Sequence, residues 1–213
     1  MNISEMLGEY ERDYALAMLG VEDFPYQKLS GKTIVVDGES EYMKLTVCMS
    51  LLALNDKEKL SIKVIMLGNG NELSEKLAER NDFSLCSYEQ AAATEYNFFI
   101  STGICGLELN GTSAEYCRIT NNFARAISTA KSCLERCILL SDYRVYGELE
   151  RGLVISENEA GFVPFSNNGD MSQTTAVSIE TYFSAYAKQF NLPTIILRSG
   201  ILLGAKAELP QNF

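Results

Sequence analysis

The sequence of 213 residues contains no histidine. Without an imidazole, the chain cannot build a Ser-His-Asp triad, a Cys-His pair or a His-ligated zinc site. Any general acid–base chemistry would have to use aspartate, glutamate, tyrosine, lysine or cysteine. This single absence removes several of the commonest hydrolytic and metal-dependent mechanisms.

Paired cysteines are also absent, because none of the six cysteines forms a Cys-x-x-Cys motif. Cys133 and Cys137 have the spacing of neighbours on a helix, which could in principle hold a metal ion. With no histidine and no second close pair to complete a ligand set, we expect no metal site. The simplest expectation for all six is reduced, partly buried thiols.

Basic residues are scarce, with 18 Lys and Arg against 28 Asp and Glu and a net charge of −10. This balance argues against a nucleic-acid partner and against binding to anionic membranes. No apolar run reaches the ~20 residues needed to span a bilayer. Residues 1–9 lack the basic and apolar regions of a secretory signal, so we expect a cytoplasmic protein.

Apolar segments typical of strands alternate with segments typical of helices along most of the chain. Strands are predicted at 33–36, 62–67, 83–86, 96–100, 136–141 and 193–198, and helices at 3–19, 45–54, 72–80, 113–132 and 172–190. Such alternation predicts an α/β fold in three layers, a doubly wound parallel sheet with helices on both faces. We expect residues 1–28 to form a helical extension and residues 29–213 the domain itself.

The first predicted strand leads through a tight turn into an apolar helix, which is the layout of a dinucleotide-binding turn. Such turns use three glycines, for the turn itself, for close approach to the pyrophosphate and for packing of the helix on the strand. Here Gly38 occupies the first position, but Glu41 and Lys44 occupy the other two. Gly38 and Ser40 are therefore predicted to be only a remnant of a cofactor-binding site.

Two carboxylates lie close to the start of the helix that follows this turn. Glu39 and Glu41 stand where a phosphate would bind to a helix N-terminus, and they would weaken the binding of an anionic cofactor. The simpler interpretation, which we favour, is that they merely complement the helix dipole in an empty loop.

Four segments together resemble one protein family. They are Leu-Ser-Gly-Lys-Thr-Ile-Val-Val-Asp-Gly at 29–38, Ile-Leu-Leu-Ser-Asp-Tyr-Arg-Val-Tyr-Gly at 138–147, the helix and strand at 180–198, and Ser-Gly-Ile-Leu-Leu-Gly at 199–204. In this order they resemble the extended short-chain dehydrogenases, the NAD-dependent epimerase/dehydratase family that acts on nucleotide sugars. The resemblance implies a Rossmann-like fold from Leu29 to Gly204.

The catalytic residues of the resembled family are not retained. The family uses a Ser or Thr, a Tyr acting as acid or base, and a Lys one helical turn later. Those three positions fall on Asp142, Ser172 and Ala176, and no Tyr-x-x-x-Lys lies between Gly147 and Glu180. The chain thus resembles a degenerate member of the family.

Other binding features of the family are altered or missing. The acidic residue that holds the adenosine ribose falls on Gly68, where only Asn69 or Asn71 could replace part of the contact. The loop Ser101–Gly106 could hold an anion on its amides, or be an ordinary loop. The family's nucleotide-sugar region follows the strand that ends here at Arg198, so we expect that lobe to be missing.

Three functions stay open at this point. The first is a non-catalytic protein that acts through self-association or a partner, with no cofactor expected. The resemblance implies a homodimer through the helices at 113–132 and 172–190. The second is an NAD(P)-dependent epimerase or dehydratase with an atypical site, and the third is a module that binds a nucleotide or sugar nucleotide without turnover.

Overall fold

The computed structural model describes residues 25–107, 109, 112–130, 133–147, 154–157 and 171–200. Six strands form a single sheet in the described part of the chain. The strands are β1 Thr33–Asp37, β2 Lys63–Leu67, β3 Phe83–Cys86, β4 Tyr96–Ser101, β5 Cys133–Asp142 and β6 Thr194–Ser199. All are within a few residues of the predicted strands. The prediction missed the first residues of β5 because the charged side chain of Glu135 interrupts the apolar pattern there.

The sheet has the strand order β3-β2-β1-β4-β5-β6, and every pair is parallel. This is the strand order of the doubly wound dinucleotide-binding folds, which confirms the predicted Rossmann-like α/β architecture. The carboxyl ends of all six strands meet at one edge of the sheet. Residues that follow β1, β4, β5 and β6 are therefore brought together although they are far apart in sequence.

Helices cover both faces of the sheet. They are α1 Glu41–Glu58, α2 Glu72–Leu77, α3 Tyr88–Ala92, α4 Ser113–Thr129 and α5 Met171–Phe190. Helix α1 extends beyond the predicted 45–54 at both ends. Ser40 caps its start by accepting a hydrogen bond from the Met43 amide at 3.3 Å, and Lys59 ends it in the left-handed conformation. Helix α3 was not predicted, although Ser87 and Gln90 form a capping box at its start.

Alternate residues of the strands separate two hydrophobic cores. In β1, Ile34 and Val36 pack with α1 and α2 on one face, whereas Val35 packs with α4 and α5 on the other. All three side chains are at most 1% exposed. Burial on both faces explains why the strand reads as a continuous apolar run, as parallel sheets require.

The predicted helix at 3–19 and most of the predicted extension at 1–28 lie outside the described residues. Residues 148–153 and 158–170, between β5 and α5, also lie outside them. Within the described ranges, no helix has both the length and the apolarity needed to cross a membrane.

Candidate functional site

The candidate site lies where β1 and β4 are neighbours at the carboxyl edge of the sheet. Helix α1 follows β1 on one face and α4 follows β4 on the other. Open α/β sheets bind ligands in the crevice that forms at this switch point. Here backbone hydrogen bonds between the two chain segments continue past the ends of β1 and β4. The Thr102 amide donates to the Asp37 carbonyl at 2.8 Å, and the Glu39 amide donates to the Gly103 carbonyl at 3.0 Å. The crevice is therefore bridged by the chain's own backbone.

Close packing fills the same place with side chains. Gly38 has φ +149°, and a Cβ there would lie 1.9 Å from the hydroxyl oxygen of Thr102. A Cβ on Gly106 would lie 2.7 Å from the Cγ atom of Met43. Both glycines thus allow the β4 loop to approach the β1–α1 turn, rather than allowing the backbone to approach a ligand.

Glu39 connects the β1–α1 turn to helix α4. Its carboxylate accepts hydrogen bonds from Arg118 Nη1 at 2.8 Å and from Asn122 Nδ2 at 2.9 Å. The Glu39 side chain is 14% exposed and Arg118 is 55% exposed, so the carboxylate is the buried end of the ion pair. The expectation that Glu39 simply complements the helix dipole in an empty loop is wrong, because it makes tertiary bonds across the switch point.

Charged groups also lie inside the turn. Asp37 is 5% exposed, and its burial raises the pKa of the carboxyl from 3.8 to about 6, with nearby Lys44 and a Ser101 hydrogen bond acting in the opposite direction. Lys44, at the third glycine position, is buried, and its Nζ atom lies 3.1 Å from Glu41 Oε2. The space that a glycine would leave open beside the strand is occupied by a lysine chain.

Several polar groups of the loop Ser101–Gly106, the candidate anion-binding loop, make hydrogen bonds within the protein. The Gly103 amide donates to Ser101 Oγ at 3.2 Å, and the Cys105 amide donates to the Thr102 carbonyl at 2.9 Å. Ser101 Oγ itself donates to Asp37 Oδ2 at 3.2 Å. These contacts are those of a structural turn.

Asp142, at the position of the family's Ser or Thr, forms a buried ion pair. Its carboxylate accepts from Arg144 Nε at 2.7 Å and from Arg144 Nη2 at 2.8 Å. The same guanidinium donates to the carbonyls of Ile104 and Leu107 at 3.2 and 3.3 Å. The pair ties the end of β5 to the loop after β4, a role that the sequence reading missed although the Asp-x-Arg spacing was visible.

Ser172 and Ala176, at the family's Tyr and Lys positions, lie on the inward face of α5. Ser172 is 7% exposed and Ala176 is 2% exposed. Ala176 belongs to the core that also contains Ile104, Val145 and Ile179. The α5 positions are therefore packed as core residues, whereas the Asp142 carboxylate at the end of β5 is held by Arg144.

A second polar cluster, also missed from sequence, lies at the ends of β5 and β6. Glu180 accepts a short hydrogen bond from Ser141 Oγ and a two-point contact from Arg198 at 3.0 and 2.9 Å. The Arg198 guanidinium lies 4.9 Å from the centre of the Tyr146 ring. Each charged group has a partner, so the cluster fastens α5 to the sheet edge.

The remaining predicted positions have local structural roles. Gly68 has φ +92°, and its amide donates to the Cys86 carbonyl at 3.1 Å. Asn71 caps α2, accepting from the Ser74 amide at 2.9 Å. Across the described residues there is no group of three or more cysteine, aspartate or glutamate side chains arranged to hold a metal ion.

No protein-family model and no curated protein sequence matches this chain. Solved structures with the same fold include the UDP-glucuronic acid 4-epimerase of Bacillus cereus in complex with NAD, with TM-score 0.57 and 18% identity over 79% of this chain and 56% of that one. The ADP-L-glycero-D-manno-heptose-6-epimerase of Helicobacter pylori gives TM-score 0.54 and 10% identity over 82% and 56%. The dTDP-glucose 4,6-dehydratase of Bacillus anthracis in complex with NAD gives TM-score 0.51 and 14% identity over 78% and 54%.

These neighbours agree with the fold that the sequence resemblance implied. The chain spans little more than half the length of the structures that it matches, 54–56% for these three. At 10–18% identity the likeness establishes a Rossmann-like fold of the type seen in NAD-binding epimerases and dehydratases.

Proposed function

We propose that this chain is a non-catalytic relative of the NAD-dependent nucleotide-sugar epimerases and dehydratases, and that it acts through self-association. The observation that carries the proposal is the Glu39 carboxylate, held by Arg118 and Asn122 across the switch point. The link to nucleotide-sugar metabolism comes from the resemblance alone. We also expect the protein to be cytoplasmic.

The residues at the switch point do not fit an anionic dinucleotide. A pyrophosphate placed at the start of α1 would meet the Glu39 and Glu41 carboxylates, and repulsion between like charges at short range costs several kcal/mol in a poorly solvated site. It would also have to break the hydrogen bond from the Glu39 amide to Gly103. We therefore propose that the chain binds neither NAD nor NADP.

The former catalytic positions support the same proposal. Proton transfer requires a group with a suitable pKa within hydrogen-bond reach of the reacting atom. The Asp142 carboxylate is instead held by Arg144, and its side chain is 6% exposed. Ala176 supplies no cation, and its burial leaves no room for a longer side chain there.

Self-association is proposed through the outer faces of α4 and α5. A groove of about 350 Å³ runs between the two helices. It is lined by Tyr116, Cys117, Thr120, Asn121, Ala124, Met171, Thr174, Thr175, Ser178 and Tyr182. None of these side chains is charged, although the chain has a net charge of −10, so two copies could meet here with little like-charge repulsion. Tyr182 and Met171 are 46% and 39% exposed, which leaves apolar surface to cover.

Cofactor binding provides the first test. Titration of the purified chain with NAD(H) and NADP(H), followed by calorimetry and by nicotinamide fluorescence, is expected to show no binding up to about 1 mM. Binding with about micromolar affinity would overturn the proposal in favour of an NAD(P)-dependent enzyme with an atypical site. Stabilisation by a nucleotide sugar without turnover would overturn it in favour of a binding module.

Sedimentation velocity provides the second test. The wild-type chain is expected to dimerise, and Tyr182→Glu is expected to raise the dimer dissociation constant by about tenfold or more, because it places a charge in the groove. Val154→Glu is the matched control, since Val154 is 96% exposed and lies on neither helix. Cys117, the cysteine of the six that is exposed, should be alkylated more slowly at concentrations where the dimer forms. A monomer at high concentration, or equal effects of both variants, would contradict the proposed interface.

A further inference from the structure

Helix α4 presents two hydrogen-bond donors to the β1–α1 turn. Arg118 and Asn122 are one helical turn apart and therefore lie on the same face of the helix. Arg118 Nη1 lies 2.8 Å from Glu39 Oε2, and Asn122 Nδ2 lies 2.9 Å from Glu39 Oε1. The two donors thus contact different oxygens of one anion.

This geometry is suited to oxyanions in general. A guanidinium and a primary amide that bind two oxygens of a carboxylate can bind two oxygens of a phosphate with the same donor directions. The turn also leads into α1, where the helix dipole favours negative charge, and where the first residue, Glu41, already places one carboxylate beside Lys44. The 18-residue length of α1 means that this dipole is fully developed.

We infer that Arg118 and Asn122 form an oxyanion-binding site that is filled by the chain's own Glu39 carboxylate. The site would accept inorganic phosphate, pyrophosphate or the phosphate groups of a nucleotide once that carboxylate is removed. The inference deepens the proposed function, because it gives the physical reason why an anionic cofactor is not bound. Because Glu39 fills the site in the wild-type chain, the site is tested in a variant that lacks this carboxylate.

Tethering explains why Glu39 holds the site. A group attached to the same chain acts at an effective concentration of about millimolar or higher, before any loss of entropy by a free anion is considered. The amide of Glu39 is also fixed by its bond to the Gly103 carbonyl, which keeps the side chain within reach of α4. A weakly bound free anion cannot displace such a neighbour.

The test is a titration of Glu39→Ala with inorganic pyrophosphate at constant ionic strength, read by calorimetry and by thermal unfolding. The variant is expected to bind pyrophosphate about tenfold more tightly than the wild type, or better, and to show a larger rise in Tm. Adding Arg118→Ala to this variant should abolish the gain. If Glu39→Ala does not fold, Glu39→Ser, whose short side chain also leaves Arg118 and Asn122 unoccupied, takes its place in the same comparison.

Glu89→Ala is the matched control. Glu89, on α3, forms an ion pair at 3.0 Å with Arg125, which lies on α4 as Arg118 does. Its removal therefore changes the net charge equally and releases a second arginine of α4. If Glu89→Ala gains as much affinity as Glu39→Ala, the effect is one of net charge and the site is overturned. No gain in either Glu39 variant would also overturn it. Neither result bears on whether the wild-type chain binds NAD, which the cofactor titration decides separately.

Discussion

Asp37 is a buried carboxyl at the end of β1, and its titration should be visible in the stability of the whole domain. Burial raises its pKa from 3.8 to about 6, so the folded state keeps the proton at pH values where the unfolded chain has released it. The free energy of unfolding therefore falls as the pH rises from about 4 to about 6. Above that range the full cost of ionising the buried carboxyl is present. A difference of about two pH units corresponds to about 3 kcal/mol.

Asp37→Asn removes this titration while keeping an oxygen that can accept the hydrogen bond from Ser101. The variant should therefore become more stable than the wild type as the pH rises. The sequence pI of about 4.6 makes the protein least soluble near that pH, so the practical range begins at about pH 5. Between pH 5 and pH 8 the difference in the free energy of unfolding should widen by about 1.4 kcal/mol in favour of the variant.

The assay is urea unfolding at several pH values across that range, with the slope m compared to confirm that the two chains unfold in the same way. Glu95→Gln is the control, because it makes the same change of charge at an exposed residue. It should show no comparable widening with pH. A constant difference between Asp37→Asn and the wild type across the range would refute the argument that burial dominates the titration of Asp37.

Three further predictions concern the positions that the family resemblance assigned to cofactor binding and catalysis. Asp142→Ser restores the residue type of the resembled family but removes the buried partner of Arg144, so it should destabilise the fold by about 3 kcal/mol in urea unfolding and produce no NAD binding; a stable, NAD-binding variant would contradict this. Ala176→Lys should lower the free energy of unfolding by several kcal/mol, because the site is 2% exposed, and calorimetry should show no cofactor binding in any soluble variant. Gly38→Ala should cost about 2 kcal/mol more than Gly68→Ala, since φ is positive at both but only the first Cβ would collide with Thr102; equal Tm values would rule out that collision.

Much of the fold could be predicted from local patterns. Continuous apolar runs at β1, β2 and β4, each followed by a turn and a helix, are enough to predict a parallel sheet with covered faces. Where the pattern was weak the prediction failed, as at α3, which has five residues and too little length for a visible period. The first residues of β5 were missed for a different reason, because charged side chains interrupt the apolar run there.

The candidate site was only partly predictable. The missing glycines and the missing Tyr-x-x-x-Lys are properties of residue identity, which are read directly from the chain. The partners of Glu39 are 79 and 83 residues away, and no local pattern indicates that a turn after β1 will meet a face of α4. The same holds for the contacts of Arg144 with carbonyls 37 and 40 residues earlier.

By itself, the sequence determined the order of strands and helices along the chain and the absence of histidine, of a glycine-rich turn and of a Tyr-x-x-x-Lys motif. These follow from periodicity and from residue chemistry, which act over a few positions. The tertiary structure decided what occupies the switch point: Glu39 bound to α4, Met43 packed on Gly106 and Lys44 buried beside β1. Such contacts depend on which loops the parallel sheet brings to the same edge, because residues far apart in sequence come within hydrogen-bonding distance only in the folded chain.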